Sequence, residues 1–202
     1  KQLKEMNWDP SILELPSFPS DPAFVEPLAN SIRPHLVDGT HLLFSYHGLP
    51  ISHVKRSDSS GNHCQKMDDC CSIGVEGNAM CYAHHCMLTT LSVVGALGLK
   101  ELDWSISYQS RLGPAKWLQP STTKMVENLA ENGNTKVVIV SPAFLADGLE
   151  TLEELNIEIR QHFIAHGGQE LTVVNCLNDD PNWIKGLVHL VENAFSKPML
   201  TS

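Results

Sequence analysis

Two hydrophobic periods alternate along this chain, and that exchange limits its fold more than any other feature. Four short runs, at residues 42–46, 102–108, 136–140 and 171–175, are apolar or β-branched and bounded by polar or turn residues, which predicts buried strands. Helical patterns lie between and beyond them, at 83–97, 121–131, 149–163 and 181–194. An earlier helix opens at Asp21-Pro22, with the Asp as cap and the Pro in the first turn, and carries Phe24, Val25, Leu28 and Ile32. Gly167-Gly168 ends the helix that begins at 149. The alternation predicts a doubly wound α/β class, a parallel four-stranded sheet with helices on both faces. In that class ligands bind beyond the carboxyl ends of the strands. The positions to inspect are therefore His47-Gly48, Gln109-Ser110-Arg111, Ser141 to Asp147, and Cys176 to Asp179.

At 202 residues, with 42% of them hydrophobic, the chain can bury a substantial core without disulfides. Residues 1–20 read as a linker from a domain upstream, which agrees with the lack of an initiating Met, and residues 21–202 as one domain. A net charge of −9 argues against a nucleic-acid surface and favours cations. Neither an 18-residue apolar run nor a signal peptide is readable, so a cytoplasmic protein is expected, with peripheral contact at the inner membrane left open. Five of the six cysteines fall between Cys64 and Cys86, inside an insertion at 58–86, a clustering that favours metal over disulfides.

Three constellations carry chemistry. His47 is delivered by a strand onto a Gly48-Leu49-Pro50 turn, which suits proton abstraction or metal binding; the plainer alternative is a His that caps a strand end. Glu150, Glu154 and Glu158, following Asp147, recur every four residues and share one stripe of a helix. On that helix Leu149, Leu152 and Ile159 are expected to pack, with Leu155 and Ile157 nearly opposite, so that the acidic row lines a polar channel suited to hard divalent cations rather than a solvated face. The loop from Tyr108 to Pro120 holds Arg111, Lys116 and Trp117, which could stack on and pair with a flat anionic ligand, although such loops are mostly structural.

In this order, the strings LLFSYHGLP, YQSRLGPAKWLQP and SPAFLADGLETLEELNIE resemble the signature regions of ferrochelatases, over nearly the whole chain outside the cysteine-rich stretch. The resemblance implies an enzyme that inserts ferrous iron into a porphyrin, protoporphyrin IX or coproporphyrin, in haem biosynthesis. It implies His47 as the residue of macrocycle deprotonation or metal transfer and Glu150 as its partner. Glu154, Glu158 and Asp147 would form a metal or proton path, and Tyr46, Gln109, Ser110, Arg111 and Trp117 would lie near the porphyrin. Two departures stand out: Arg111 replaces a Lys of some members, and Gly148 stands where some have His. The family's chains also carry a similar domain on the N-terminal side, so this sequence is read as the C-terminal part, of doubtful competence alone. Rival readings are a cobalt chelatase of the same architecture, which the Trp117 loop disfavours, and a non-enzymatic iron–sulfur or zinc module on a chelatase scaffold.

The resemblance further implies that Cys64, Cys70, Cys71, Cys81 and Cys86 supply four thiolates to a [2Fe–2S] cluster, as in certain bacterial members. Cys64, Cys71 and Cys81 are favoured, joined by one of the other two. Gly61, Gly74 and Gly77 make the loop pliable enough to converge. Zinc, with His63, His84 and His85 adjacent, is the rival occupant. Such a cluster would be structural or sensory, because metalation transfers no electrons.

Overall fold

The computed structural model describes residues 5–6, 14–66, 69–72 and 78–196. Gly74 and Gly77 of the cysteine loop, and most of the expected linker, lie outside the described residues. Chain order is helix α1 (Pro22–Ile32), strand β1 (Thr40–His47), α2 (Ile51–Arg56), α3 (Tyr82–Leu97), β2 (Trp104–Gln109), α4 (Thr122–Glu131), β3 (Lys136–Val140), a π-helix (Glu150–Ile159) running into α5 (Arg160–Ala165), β4 (Glu170–Val173) and α6 (Pro181–Ser196). The strands pair in the order β2-β1-β3-β4, all parallel.

Strand alternation sends successive side chains to opposite faces, so two separate cores form. Leu42, Phe44 and Tyr46 of β1 join Val138 and Val140 in packing against α1, α3 and α6, through Phe24, Leu28, Val93 and Trp183. Leu43 of β1, with Val137, Ile139 and Leu171, packs on the other face against Val126 and Leu129 of α4, Leu155 and Ile159 of the π-helix, and Phe163 of α5. Helices cover both faces, as the doubly wound class requires.

The helix starts follow their capping chemistry. Asp21 accepts a hydrogen bond from the Ala23 N–H at 2.9 Å, and Ser121 caps α4 by accepting from the Lys124 N–H at 3.3 Å. Two expectations are corrected. The second strand begins at Trp104 rather than 102, because residues 101–103 form a turn of 3₁₀-helix, closed by the Asp103 carboxylate on the Lys100 N–H, that leaves Leu102 89% exposed. The helix expected at 149–163 opens as ten residues of π-helix. Within the stretch expected as linker, Phe18 is partly buried against the core and meets Phe24 at 5.6 Å and Trp183 at 6.2 Å between ring centroids.

Candidate active site

His47 closes β1 at the carboxyl edge, paired in register with Gln109 at the end of β2. Both its carbonyl and its ring have neighbours that position them. The Tyr82 hydroxyl donates to the His47 carbonyl at 2.8 Å, and the Phe144 ring stands edge-on to the imidazole at 6.0 Å. The next residue, Gly48, donates its N–H to the Gln109 carbonyl at 2.8 Å. A Cβ at Gly48 would lie 2.7 Å from that carbonyl oxygen and 3.3 Å from the Trp117 ring, so only glycine fits. The Trp117 loop is strapped to the turn by Ile51 N–H to the Lys116 carbonyl, 2.8 Å, and Leu118 N–H to the Leu49 carbonyl, 3.0 Å.

Beneath this edge lies a buried polar chain. The Ser45 hydroxyl donates to Gln109 Oε1 at 2.7 Å and lies 2.8 Å from Thr122 Oγ1, which in turn is 3.0 Å from Ser107 Oγ. Each hydroxyl has one proton to give. With the Ser45 proton committed to Gln109, Thr122 must donate to Ser45 and Ser107 to Thr122. Gln109 Nε2 then donates to the carbonyl of Glu150 at 3.2 Å. This one-directional chain ties β1, β2 and the start of α4 to the start of the π-helix, and such chains reinforce themselves in a low dielectric.

The π-helix presents the acidic row. Its i→i+5 ladder is wound more widely than an α-helix, at more than four residues per turn, so a repeat of four falls nearly in line. Thr151, Leu155 and Ile159 form the buried row, continued by Phe163 of α5, and the glutamates run beside it. Glu150 and Glu154 are half-buried and Glu158 is exposed. Both oxygens of Glu154 are held by Ser110, through its N–H at 2.8 Å and its hydroxyl at 2.9 Å. Ser110 takes a left-handed backbone to do so, with φ of 62°. The Glu150 carboxylate turns back toward Gly148, where a Cβ would meet Oε2 at 3.2 Å.

Asp147 holds the loop that leads into this helix. Its carboxylate accepts from the Thr151 hydroxyl at 2.9 Å, Asn178 Nδ2 at 2.7 Å and the Cys176 N–H at 3.2 Å. Partial burial pushes this carboxyl up, but the bonds from Asn178, Thr151 and Cys176 outweigh it and leave it below the ordinary value. Its lone pairs are largely taken by protein donors.

The cysteines gather on the α3 side of this edge, where Tyr82, next to Cys81, bonds to the His47 carbonyl. Cys70 and Cys71 place their sulfurs 3.9 Å apart, the Cys71 thiol donates to Cys81, and Cys64 lies within the field of Cys81 and Cys70. The Cys71 thiol, and then the N–H groups of His84 and Ala83 at the start of α3, hold Cys81 down to about 5, against the pull of burial. Cys86 bonds to Tyr82 and borders a cavity of 270 Å³ that also meets Tyr46 and Phe24; burial first, and then the field of Cys81, pushes its thiol well up. The neighbouring histidines serve the backbone: His63 Nε2 donates to the Cys70 carbonyl at 2.7 Å, His84 Nδ1 to the Cys71 carbonyl at 2.7 Å, and His85 Nε2 to the Ala79 carbonyl at 2.9 Å. The donor set is sulfur-rich and gathered, which fits an iron–sulfur cluster. No disulfide links the six cysteines.

A profile of the ferrochelatase family matches residues 1–195. The chain belongs to the ferrochelatase family. It is 42% identical over 194 residues to the ferrochelatase of Pseudomonas fluorescens (strain Pf0-1), covering 95% of this chain and 57% of that one. It is 43% identical over 195 residues to the ferrochelatase of Stutzerimonas stutzeri (strain A1501), again with 95% of this chain and 57% of that one. The chain thus spans little more than half the length of these curated relatives. Among solved structures, a CbiX protein from Marinobacter aquaeolei VT8, provisionally assigned to cobalamin (vitamin B12) biosynthesis, aligns with a TM-score of 0.46 at 14% identity, over 79% of this chain and 99% of that one.

Within the family's signature strings, the structure sorts the residues expected near a porphyrin. Gln109 and Ser110 sit at the carboxyl edge, bonded to the acidic helix. Arg111 is exposed beyond it. Trp117 is only 9% exposed, so it backs the Gly48 turn instead of offering an open ring face, while its indole N–H is buried without a protein partner. Tyr46 is 1% exposed and bonds its hydroxyl to Thr90 at 2.8 Å, because the strand pleat sends it to the face opposite Ser45. The expected packing of the acidic helix is corrected: Leu149 and Leu152 are 75% and 54% exposed, while Leu155 is buried. Sequence reasoning missed Ser45, Ser107 and Thr122. Polar residues inside otherwise apolar strands were the available signal for the two serines.

No helix among the described residues is long and apolar enough to cross a membrane.

Proposed function

We propose that this chain is the metal-handling part of a ferrochelatase that inserts Fe²⁺ into a free porphyrin, with His47 and Glu150 as its catalytic pair. The observation that carries this is the tie between the two. Gln109 pairs with His47 across the sheet and donates to the Glu150 carbonyl, so the imidazole and the head of the acidic helix are referenced to one residue. In metalation Fe²⁺ replaces two pyrrole protons. His47 accepts a proton from the macrocycle, Glu150 supplies the opposite charge beside it, and Glu154 and Glu158 carry charge out toward solvent. Distortion of the ring by its cleft exposes the nitrogen lone pairs. The remaining length of the relatives, placed by the resemblance on the N-terminal side, would supply the other lip of that cleft, with residues 21–202 forming the C-terminal domain and the segment at 58–86 an insertion in it. A cytoplasmic location with peripheral membrane contact suits this reading.

Cys64, Cys70, Cys71 and Cys81 would hold a [2Fe–2S] cluster, and Cys86 would stand outside it. What supports this is the gathering of those four sulfurs and the use of His63, His84 and His85 on backbone carbonyls.

The test is metalation by the intact enzyme, comparing iron with cobalt and protoporphyrin with coproporphyrin. Glu150→Gln is expected to abolish insertion and Glu158→Gln to slow it several-fold. Equal losses at the two positions would contradict the graded row, and a preference for cobalt and a corrin precursor would replace the reading with the rival chelatase.

A further inference from the structure

On the face of the sheet covered by α4 and α5, away from the cysteines, three side chains converge. Glu127 of α4, His162 of α5 and His166, which caps the end of α5, place one ligand atom each within 4.8 Å of one another, all half-buried. The two imidazoles lie one helical turn apart with ring centroids 4.3 Å apart. His166 Nδ1 donates to the His162 carbonyl at 2.8 Å, which fixes its tautomer and leaves Nε2 as the lone-pair nitrogen. His162 Nε2 is buried and has no hydrogen-bond partner. It lies 3.9 Å from Glu127 Oε2, too far for a hydrogen bond. Two atoms sharing one tetrahedral ion, with bonds of about 2.0–2.1 Å, stand about 3.3 Å apart, so a small rotamer adjustment closes the set. The other carboxylate oxygen, Glu127 Oε1, is held by Lys124 Nζ at 2.8 Å, which orients the carboxylate and leaves Oε2 to face the histidines.

We infer that Glu127, His162 and His166 form a binding site for a divalent transition metal of the zinc and cobalt class, with water as fourth ligand, that staples α4 to α5. Two imidazoles and one carboxylate are the borderline donor set such ions select, whereas Ca²⁺ and Mg²⁺ prefer oxygen alone. The 3.9 Å ion pair with Glu127 Oε2 leaves the buried His162 nitrogen without a hydrogen bond, which a shared metal ion would supply with a ligand bond. The inference rests neither on the metalation reading nor on the cluster.

Cobalt titration of the intact enzyme, followed by absorption, tests it. Beyond any Co²⁺ held at the His47 and Glu150 site, one further equivalent is expected to bind with d–d bands and no thiolate charge-transfer band, and to raise the thermal midpoint. His166→Ala and Glu127→Gln should each weaken that equivalent at least tenfold and remove the thermal shift, while His189→Ala, at an exposed histidine on α6, leaves both unchanged. Circular dichroism confirms that each variant is folded. Equal cobalt affinity in the enzyme, His166→Ala and Glu127→Gln, or cobalt found only with thiolate bands, overturns the site.

Discussion

Ser110 grips Glu154 with two bonds at once, its backbone N–H on one carboxylate oxygen at 2.8 Å and its hydroxyl on the other at 2.9 Å. The β2 edge and the π-helix are thereby locked at the middle of the acidic row, as Gln109 locks them at its head. Ser110→Ala leaves the backbone bond and the left-handed φ cost as they are, and removes only the hydroxyl. Since Glu154 is half-buried, the thermal midpoint should move little, while metalation falls by up to about tenfold, the equivalent of one hydrogen bond to a charged group. Unchanged metalation rates would mean that the orientation of Glu154 does not matter.

Gly48→Ala tests the other side of the site. The new methyl would collide with the Gln109 carbonyl and press on the Trp117 ring, and neither can retreat, because one is β2 backbone and the other is strapped to the turn. Overpacking of this kind costs about 1–3 kcal/mol. The expected result is a lower denaturant midpoint together with a larger loss of metalation than stability alone explains, since His47 is the adjacent residue. Parallel losses in Gly48→Ala and in a core variant of matched stability would remove the argument for positioning.

How much of this was legible beforehand differs between the sheet and the helix that serves it. Strands β1 and β3 follow directly from runs such as Leu42-Leu43-Phe44 and Val137-Val138-Ile139-Val140, because burial on both faces needs no alternation. The π-helix was readable in principle. Thr151, Leu155, Ile159 and Phe163 repeat strictly by four, and an α-helix would turn that row by about 40° at each step, out of the core. Read with the α period, the same residues put Leu149 and Leu152 inside, where the structure has them exposed. Thr122 escaped notice for a different reason: it looks like an ordinary first-turn residue of α4, and only the fold brings its hydroxyl to Ser45, 77 positions away in sequence. Contacts of that kind are set by topology.

Asp58 organises the entrance to the cysteine loop, accepting from the Ser60 hydroxyl at 2.6 Å and from the N–H groups of Cys64 at 2.8 Å and His63 at 2.9 Å. The Ser60 hydroxyl first, then these amides, hold its carboxyl well below the usual range. A folded pKa below the unfolded one means the contribution to stability is present above the unfolded value, about 3.9, and fades as the pH drops below it toward the folded one. Asp58→Asn should therefore lower the thermal midpoint at pH 6, and the gap to the unsubstituted protein should narrow below about pH 4. A gap independent of pH would assign the effect to lost hydrogen bonds rather than to the charge.

The cysteine assignment makes the sharpest division, because it separates two residues on one helix start. Cys81 precedes α3, where the Cys71 thiol and the first amides of the helix stabilise its thiolate, down to about 5. Cys86 lies one turn further on, 3% exposed, with Tyr82 beside it and burial opposing ionisation. The Cys71 sulfur contacts both Cys70 and Cys81, whereas Cys86 bonds to Tyr82, so the group of four sulfurs forms without it. Anaerobic purification of the intact enzyme should give a coloured protein with two irons and two sulfides per chain, as a [2Fe–2S] cluster requires. Serine at 64, 70, 71 or 81 should bleach it, and Cys86→Ser should keep the colour and the iron content. Loss of colour in Cys86→Ser with retention in Cys70→Ser would exchange those two ligands. A colourless protein with one zinc would replace the cluster with a zinc knuckle built on the same four sulfurs.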